Sequence, residues 1–279
     1  MSAGANPGMA QGGAASDSAA PAGRIVIERG EHGIATLLLD RPAKRNAFTL
    51  DMYRQFGAAV DELDADDSVR CIVVRGAGGA FCAGSDIGGF DQDRSGAQQA
   101  RDYADLTLDL TDRLKLTRHP TLACIEGACV GGGLEIAALC DVRIAARSAR
   151  FGIPINRIGL TLDYRELQDL VGLIGPARTL EILLEGGIFG AQEALEKGLL
   201  TRVVDDETLV QQAYDSARRI ASGAPLVNRW HKKFVRRLGQ PEPLSEQERL
   251  EPYACFDTED YRLGQAAFLN KQRPAFTGR

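Results

Sequence analysis

The chain has 279 residues, which is enough to bury one sizeable core, either as one large domain or as a domain with an appendage. Its 38 Asp and Glu residues outnumber 33 Lys and Arg residues and give a net charge of -5, which argues against a nucleic-acid-binding protein. No apolar run approaches the length of a membrane span, and the first residues lack a signal-peptide pattern. We therefore expect a soluble, cytoplasmic protein without membrane or nucleic-acid partners.

The first part of the chain predicts a tail, a hairpin and a helix. Residues 1–23 are rich in Ala, Gly, Ser and Pro, and we expect a disordered tail. The runs RIVIERG and GIATLLLD follow on either side of EHG and predict two strands of a hairpin. A basic turn, RPAKRNAF (41–48), comes next, and Thr49 is expected to cap a helix that ends near Asp64.

The next segment predicts a strand, a glycine-rich loop and a long helix. CIVVRG (71–76) indicates a short buried strand, and GAGGAFCAGSDI (76–87) indicates a glycine-rich loop. Residues 88–98 are polar and Gly-rich, so we expect them to be mobile. An amphipathic helix is predicted from about residue 100 to Leu116, because His119-Pro120 cannot continue it.

The central stretch runs from Thr121 to Ala145 and predicts a strand, a glycine turn, a buried helix and another strand. Three consecutive glycines at residues 131–133 leave backbone N-H groups unshielded at the start of the helix, where the helix dipole favours an anion or a developing oxyanion. Glu135 lies two residues further on. Its carboxylate fits either a partner of the helix dipole or a catalytic acid/base.

Short elements complete the pattern. ARFGIP predicts a strand, INRIGLTLDY an irregular segment, and residues 165–174 and 177–185 two helical segments. AQEALEKG predicts a short helix, TRVVDD a last strand, and the chain from Glu207 onward is helical in pattern. Alternating strands and helices followed by helices alone predict an α/β core over residues 24–205 with a C-terminal helical region over residues 206–279.

The cysteines and histidines do not form the pattern of a metal or redox site. The cysteines lie mostly in apolar runs and lack C-x-x-C spacing: Cys71, Cys82, Cys124, Cys129, Cys140 and Cys255. The histidines His32, His119 and His231 are scattered along the chain. We therefore predict buried free thiols, structural or solvated histidines, and no metal site.

The glycine-rich loops do not match a nucleotide-binding motif. GAGGAFCAG lacks the third glycine of the dinucleotide fingerprint, and it also lacks the GK[ST] of a phosphate loop. Instead, FCAGSDI and CVGGGLE each follow an apolar strand, which suits a site at the ends of neighbouring strands. Backbone N-H groups from two loops can stabilise a thioester enolate oxygen, although each glycine run alone also fits a tight turn.

Together these motifs resemble the crotonase family, also called the enoyl-CoA hydratase/isomerase family, over residues 24–279. Four segments carry the resemblance in the same order: RPAKRNAF (41–48), GAGGAFCAGSDI (76–87), EGACVGGGLEIAALCDVRIA (126–145) and GQAAFLNKQRPAFTG (264–278). The resemblance implies an α/β fold built as a spiral of β-β-α turns with a C-terminal helical trimerisation region. It also implies an acyl-CoA thioester substrate, a homotrimer or homohexamer, and no cofactor, since coenzyme A is part of the substrate.

Position by position, the resemblance also implies roles for individual residues. The backbone N-H groups of Ser85 and Gly132 match the oxyanion hole, and Glu135 matches the first of two catalytic glutamates. Further positions match the family's contacts with coenzyme A, the last two often from a neighbouring subunit: Ala43, Lys44, Arg45, Ala83, Asp86, Ile87, Phe268 and Lys271.

The second glutamate of the family is missing. The F-G-x-P-E motif reads FGIPI, so Ile155 stands where the second carboxylate is expected, and isoleucine neither transfers a proton nor orients water. Nearby polar residues, each of which also fits a turn or helix position, are Asn156, Asp163, Tyr164 and Glu166. Among them we favour Asp163 as the second polar group.

Hydration of a 2-enoyl-CoA is therefore the leading prediction. The alternatives are an enoyl-CoA double-bond isomerase that uses Glu135 alone, and a weakly catalytic CoA-ester-binding paralogue. The basic run NRWHKKFVRR (228–237) could also indicate RNA binding, but in an acidic chain we favour a solvated or intersubunit helix face.

Overall fold

The computed structural model describes residues 22–86, 88 and 95–279. The tail predicted to be disordered lies outside the described residues except for Ala22 and Gly23. Residues 89–94 of the segment predicted to be mobile also lie outside them.

Within the described residues the chain forms nine strands and nine α-helices. The strands are β1 (Arg24–Arg29), β2 (Ile34–Asp40), β3 (Cys71–Gly76), β4 (Thr121–Ile125), β5 (Ala128–Val130), β6 (Val142–Ala146), β7 (Arg150–Gly152), β8 (Phe189–Gly190) and β9 (Arg202–Val204). The helices are α1 (Leu50–Ala65), α2 (Ala97–Leu116), α3 (Gly132–Leu139), α4 (Tyr164–Glu185), α5 (Ala191–Glu196), α6 (Leu209–Ala221), α7 (Pro225–Leu238), α8 (Glu246–Leu250) and α9 (Glu259–Leu269).

Two sheets organise the strands. The main sheet has the order β1-β2-β3-β4-β6-β9, and a smaller sheet has the order β5-β7-β8. The pair β1 and β2 is antiparallel, which confirms the predicted hairpin, and every other neighbouring pair of the main sheet is parallel.

The expected spiral of β-β-α turns is confirmed, because successive turns repeat the same arrangement of two strands and a helix. The units β4-β5-α3 and β6-β7-α4 each place one strand in the main sheet, one short strand in the smaller sheet and one helix outside them. Isolated bridges continue the line of the smaller sheet, because Cys82 pairs with Cys129 and Phe48 pairs with Ser85. The loops after β2 and β3 therefore occupy the same layer as β5 and β7.

The main sheet has an apolar core on each face, because alternate residues of its strands point to opposite sides. Ile72 and Val74 pack in a large cluster together with residues of α1, α2, α3 and α4. Cys71 and Val73 pack in a second cluster with residues of α6. Helix α6 thus covers the sheet although it follows residue 205, and the division into a core and a helical region at that residue stays a prediction.

Most element boundaries lie close to the predictions. Thr49 caps α1 by accepting a hydrogen bond from the N-H of Met52, as predicted. Helix α2 begins at Ala97, three residues before the predicted start. The two helical segments predicted around residue 175 belong to α4, and Gly175, with φ 78°, separates them just before Pro176.

The prediction of buried free thiols is confirmed for five cysteines, and Cys255 is half-buried. His119 is fully buried, and neither ring nitrogen has a hydrogen-bond partner among the described residues. Burial lowers the pKa of His119 to about 4, and the charges of Arg229 and Arg118 add to this effect. The buried ring is therefore neutral near pH 7.

Several cations of the basic run on α7 are paired with carboxylates. Lys232 lies 2.7 Å from Asp141, and Arg237 forms an ion pair with Glu248. These pairs attach part of the run to the rest of the chain, and its interpretation as a solvated or intersubunit helix face stays a prediction. No helix in the described part of the chain combines the length and the apolar character that a membrane span requires.

The start of α3 is pressed against the loop that follows β3. A Cβ atom on Gly133 would lie 2.2 Å from the carbonyl oxygen of Cys82, so only glycine fits there. Gly131 precedes the helix with φ 54°, a conformation that glycine adopts readily. These two glycines let the backbones of the two loops approach each other.

We predict that Gly133→Ala lowers the free energy of unfolding by about 3 kcal/mol, because the added methyl group must push α3 away from Cys82. Urea denaturation followed by circular dichroism measures this change. Gly172→Ala is the matched control: Gly172 lies in α4 with nothing within 4 Å of an added Cβ. That variant should gain up to about 1 kcal/mol, and equal effects of the two substitutions would contradict the close contact.

Candidate active site

The basic turn after β2 is fixed by a buried asparagine that the sequence analysis did not single out. Asn46 is fully buried, and its side-chain amide donates to the carbonyl oxygens of Ala77 at 2.9 Å and Ala80 at 2.7 Å. Its Oδ1 accepts the N-H of Arg41 at 2.9 Å. The asparagine in RPAKRNAF was visible in the sequence, but the two carbonyl groups that accept its hydrogen bonds lie more than thirty residues away.

Backbone hydrogen bonds attach the same turn to the loop that carries Ser85. Phe48 donates its N-H to the carbonyl of Gly84 and accepts the N-H of Asp86, both at 2.8 Å. Because Phe48 forms backbone hydrogen bonds with the residues on either side of Ser85, the N-H of Ser85 points away from Phe48, to the opposite side of this loop.

On that opposite side lies the glycine turn before α3. Cys82 donates its N-H to the carbonyl of Ala128 at 2.8 Å and accepts the N-H of Val130 at 3.0 Å. This pairing brings Gly84 beside Gly132, such that a Cβ on Gly84 would lie 3.3 Å from the nitrogen of Gly132. The loops that carry the two predicted oxyanion donors are therefore adjacent.

Gly132 is the first residue of α3, so its N-H has no acceptor within the helix. It lies at the positive end of the helix dipole, next to the loop whose Ser85 N-H faces it. Two such donors can stabilise the negative charge that develops on a carbonyl oxygen.

Glu135 lies one turn further along α3 and lines the same cleft as Gly132. A Cβ on Gly132 would be 3.7 Å from Oε2 of Glu135, so the carboxylate lies near the helix start. The cleft contains about 500 Å³ of empty space, including the solvent at its mouth, and lies between α1, α2, α3 and α4. The structure thus brings a carboxylate and the candidate oxyanion donors together.

Tyr53 of α1 also lines this cleft, and the sequence analysis missed it. Its hydroxyl lies 2.9 Å from Oγ of Ser85 and would lie 3.3 Å from a Cβ on Gly132. Burial raises the pKa of Tyr53 well above its usual value, and the nearby Tyr103 and Glu135 add to the increase. The helical pattern of Met52 and Phe56 indicated the core face of α1, but it gave no reason to assign Tyr53, the residue after Met52, to the site.

The structure places the predicted second polar group at a helix start. Asp163 is exposed and is the N-cap of α4, where its Oδ1 accepts the N-H of Arg165 at 2.8 Å. Glu166 completes this cap by accepting the N-H of Asp163 at 2.7 Å, and Glu166 lines the cleft with Glu135. Ile155 packs half-buried against the core. A catalytic role for Asp163 stays a prediction.

Charged side chains of α2 and α4 also line the cleft. Arg165 bonds Asp112 at 2.7 Å and Asp109 at 2.8 Å, and these hydrogen bonds raise the pKa of its guanidinium. Asp169 forms an ion pair with Lys115. We define this set, Asp112, Arg165, Glu166 and Asp169, as the charged wall.

Five of the residues predicted to contact coenzyme A lie in the two paired loops. Ala43, Lys44 and Arg45 are exposed on the turn after β2, and Ala83 donates its N-H to the carbonyl of Arg45 at 3.0 Å. Asp86 forms an ion pair with Arg41 at 2.7 Å, and this hydrogen bond, together with the charge of Lys44, lowers its pKa.

The other three residues predicted to contact coenzyme A are not among the described residues of these two loops. Ile87 lies outside the described residues. Phe268 is 84% exposed near the end of α9, and Lys271 follows that helix with φ 54°. Both stay predictions. Among the described residues, no three His, Cys, Asp or Glu side chains group as metal ligands would.

Comparison with known proteins decides the family. Residues 29–279 of the 279-residue chain match the family model for enoyl-CoA hydratase/isomerase, so the match covers nearly the whole chain. The chain belongs to the enoyl-CoA hydratase/isomerase family. The resemblance inferred from the four sequence motifs is confirmed.

Individual members of the enoyl-CoA hydratase/isomerase family align over nearly their whole length. A crotonyl-CoA hydratase from Syntrophomonas wolfei is 32% identical over 90% of this chain and 97% of the relative. A 1,2-epoxyphenylacetyl-CoA isomerase from Escherichia coli is 32% identical over 91% of this chain and 99% of the relative. A crystal structure of an enoyl-CoA hydratase/carnithine racemase from Magnetospirillum magneticum superposes with a TM-score of 0.90, at 45% identity over 91% and 96% of the two chains.

We predict that Asn46→Asp lowers the free energy of unfolding by about 3 kcal/mol or more, because a buried carboxylate replaces the two donated hydrogen bonds with repulsion from carbonyl oxygens. Urea denaturation measures the change. Asn156→Asp is the control, since Asn156 is exposed and donates to Leu184 at 2.9 Å; its effect should stay below about 1 kcal/mol. Similar losses in both variants would show that Asn46 does not fix the loop.

Proposed function

We propose that this protein hydrates a 2-enoyl-CoA thioester through an enolate intermediate. One observation carries the proposal: Gly132 at the helix start and Glu135 line one cleft, and Gly84, next to Ser85, lies beside Gly132. Membership of the enoyl-CoA hydratase/isomerase family supports it, as does the name of the crotonyl-CoA hydratase relative.

In the proposed reaction the thioester oxygen accepts hydrogen bonds from the N-H groups of Ser85 and Gly132. Water adds to Cβ, the negative charge moves to the thioester oxygen, and a proton is then delivered to Cα. Each backbone donor stabilises this charge by about 3 kcal/mol, and the dipoles are already oriented before the reaction. Glu135 acts as the acid/base, since its carboxylate lies beside the same helix start.

A second group has to orient the water, because Ile155 replaces the usual glutamate. Both carboxylates bond in the cap of α4, but Asp163 is exposed and does not line the cleft, whereas Glu166 lines it together with Glu135. We therefore assign the water-orienting role to Glu166 in preference to Asp163.

Coenzyme A would bind along the paired loops. Lys44 and Arg45 are exposed cations on a turn that is fixed by Asn46, so they are suited to bind the phosphate groups of coenzyme A. Ala43, Ala83, Asp86 and Ile87 would line the adenine and pantetheine. Phe268 and Lys271 would reach coenzyme A in a neighbouring subunit of a cytoplasmic homotrimer or homohexamer that needs no further cofactor.

A double-bond isomerase that uses Glu135 alone is the second candidate, because Ile155 leaves a single carboxylate at the family's catalytic positions. The isomerase name of the Escherichia coli relative is consistent with it. A weakly catalytic CoA-ester-binding protein is the third.

We predict that Glu135→Gln retains affinity for crotonyl-CoA and lowers its hydration rate by about 10²- to 10⁴-fold, because the amide keeps the shape of the side chain but does not transfer a proton. Hydration is followed as the loss of absorbance of the conjugated thioester, and affinity is measured by calorimetry.

The wild-type protein separates the three candidates in the same assays. Loss of conjugation with crotonyl-CoA supports a hydratase, and appearance of conjugation with a 3-enoyl-CoA supports an isomerase. Binding without either reaction favours the weakly catalytic protein. Unchanged turnover in Glu135→Gln would exclude this residue as the acid/base.

We predict that Glu166→Gln lowers the hydration rate at least tenfold, whereas Asp163→Asn leaves it within about twofold, because asparagine also caps helices and glutamine also completes a capping box. The comparison uses kcat with crotonyl-CoA at matched thermal stability. A loss in Asp163→Asn that equals or exceeds the loss in Glu166→Gln would return the water-orienting role to Asp163.

A further inference from the structure

The tyrosine of α1 is held rigidly at the oxyanion site. The ring of Tyr53 is 5% exposed and packs against Phe48, with centroids 4.8 Å apart, and edge-on against Tyr103 at 6.3 Å. Phe48 is itself the residue whose backbone binds both neighbours of Ser85. The same packing therefore fixes the ring of Tyr53 and the loop that presents the Ser85 N-H.

The hydroxyl of Tyr53 lies beside both residues whose backbone N-H groups form the proposed oxyanion hole. It is 2.9 Å from Oγ of Ser85, and it would be 3.3 Å from a Cβ on Gly132. Tyr53 also lines the cleft with Gly132 and Glu135. A ligand oxygen that accepts hydrogen bonds from these two N-H groups would therefore lie near a third polar group, the hydroxyl of Tyr53.

The chemistry of this hydroxyl favours donation over proton abstraction. Burial keeps the phenol protonated, because the phenolate would lie unsolvated beside Glu135. A hydroxyl can accept one hydrogen bond and donate another. If the Ser85 hydroxyl donates to Tyr53, the O-H of Tyr53 is directed into the cleft.

We propose that Tyr53 is a catalytic residue whose hydroxyl donates a third hydrogen bond to the thioester oxygen held by the N-H groups of Ser85 and Gly132. This inference rests on the proposed thioester chemistry. The bond strengthens as negative charge develops on the oxygen, so it lowers the energy of the enolate more than that of the bound substrate. Ser85 then has two roles: its N-H contacts the substrate oxygen, and its side chain orients Tyr53.

A simpler role for Tyr53 would be to position Ser85 without contacting the substrate. The two roles differ in what the Ser85 side chain should contribute. If Tyr53 acts only through Ser85, Ser85→Ala and Tyr53→Phe remove the same interaction and have equal effects. If Tyr53 contacts the thioester oxygen, Tyr53→Phe costs more, because Ser85→Ala retains both the backbone N-H and the phenol.

We predict that Tyr53→Phe lowers kcat about 100-fold with the acyl-CoA that the wild-type protein turns over, and that Ser85→Ala lowers it less than tenfold. Tyr214→Phe is the matched control: Tyr214 of α6 also has its hydroxyl on another hydroxyl, 2.5 Å from Thr36, but on the opposite face of the main sheet. Its kcat should equal that of the wild type.

Infrared spectroscopy gives a readout that a purely structural role does not change. Butyryl-CoA with a ¹³C-labelled thioester carbonyl has no double bond to hydrate, so it stays intact when bound. Hydrogen bonds to the carbonyl oxygen lower its stretching frequency. We expect the frequency to rise in Tyr53→Phe relative to the wild-type complex and to stay unchanged in Tyr214→Phe, while all variants keep the wild-type melting temperature.

The outcomes separate this inference from the proposed function. Binding of butyryl-CoA to the wild type with a lowered carbonyl frequency supports the oxyanion site, whatever Tyr53 does. Equal carbonyl frequencies in the wild type and Tyr53→Phe, or equal losses of kcat in Tyr53→Phe and Ser85→Ala, would overturn the third hydrogen bond alone. Failure of the wild type to bind butyryl-CoA would overturn the thioester function itself.

Discussion

The site depends on the close approach of two backbones, at Cys82 and at the start of α3. A side chain on Gly133 would overlap the carbonyl of Cys82, so the helix can reach this loop only through glycine. That contact places the positive end of the helix dipole beside the loop of Ser85. Because the donors are backbone groups of packed elements, they need no reorganisation when charge develops on a bound oxygen.

The spiral of β-β-α turns explains how segments far apart in the chain form one site. Each turn adds a short extended segment to the layer of the smaller sheet, and neighbouring segments are joined by backbone hydrogen bonds. The basic turn at Lys44, the loop at Ser85 and the glycine turn at Gly132 are consecutive members of this layer. In the proposed function, a CoA thioester would lie across this layer, with its phosphates near the cations and its acyl group near the candidate oxyanion donors and Glu135.

The polar groups of the cleft are unequally distributed around the proposed reaction centre. In the proposed reaction the backbone donors and Tyr53 stabilise the charge, whereas Glu135 is the one carboxylate at the two positions where the family resemblance implies catalytic glutamates. The charged wall supplies further carboxylates, but Asp112 and Asp169 are neutralised by Arg165 and Lys115. Glu166 accepts a hydrogen bond from the backbone N-H of Asp163 in its own helix cap and also lines the cleft.

The sequence by itself determined the elements whose signals are local. Periodicity and the Thr49 cap predicted most strands and helices to within a few residues, and the glycine runs with Glu135 indicated the candidate site, whose roles stay predictions. These signals are local because helix caps, turns and exposed N-H groups depend on residues only a few positions apart.

Only the tertiary structure decided which polar side chains share the cleft. Tyr53 reaches Ser85 across 32 positions and Asn46 reaches Ala80 across 34, and no spacing rule connects residues on separate turns of the spiral. The same applies to Asp163 and Glu166: both are acidic and both carboxylates bond in the cap of α4, but only Glu166 also lines the cleft. Side-chain direction at that distance is set by packing, which the sequence encodes only through the whole fold.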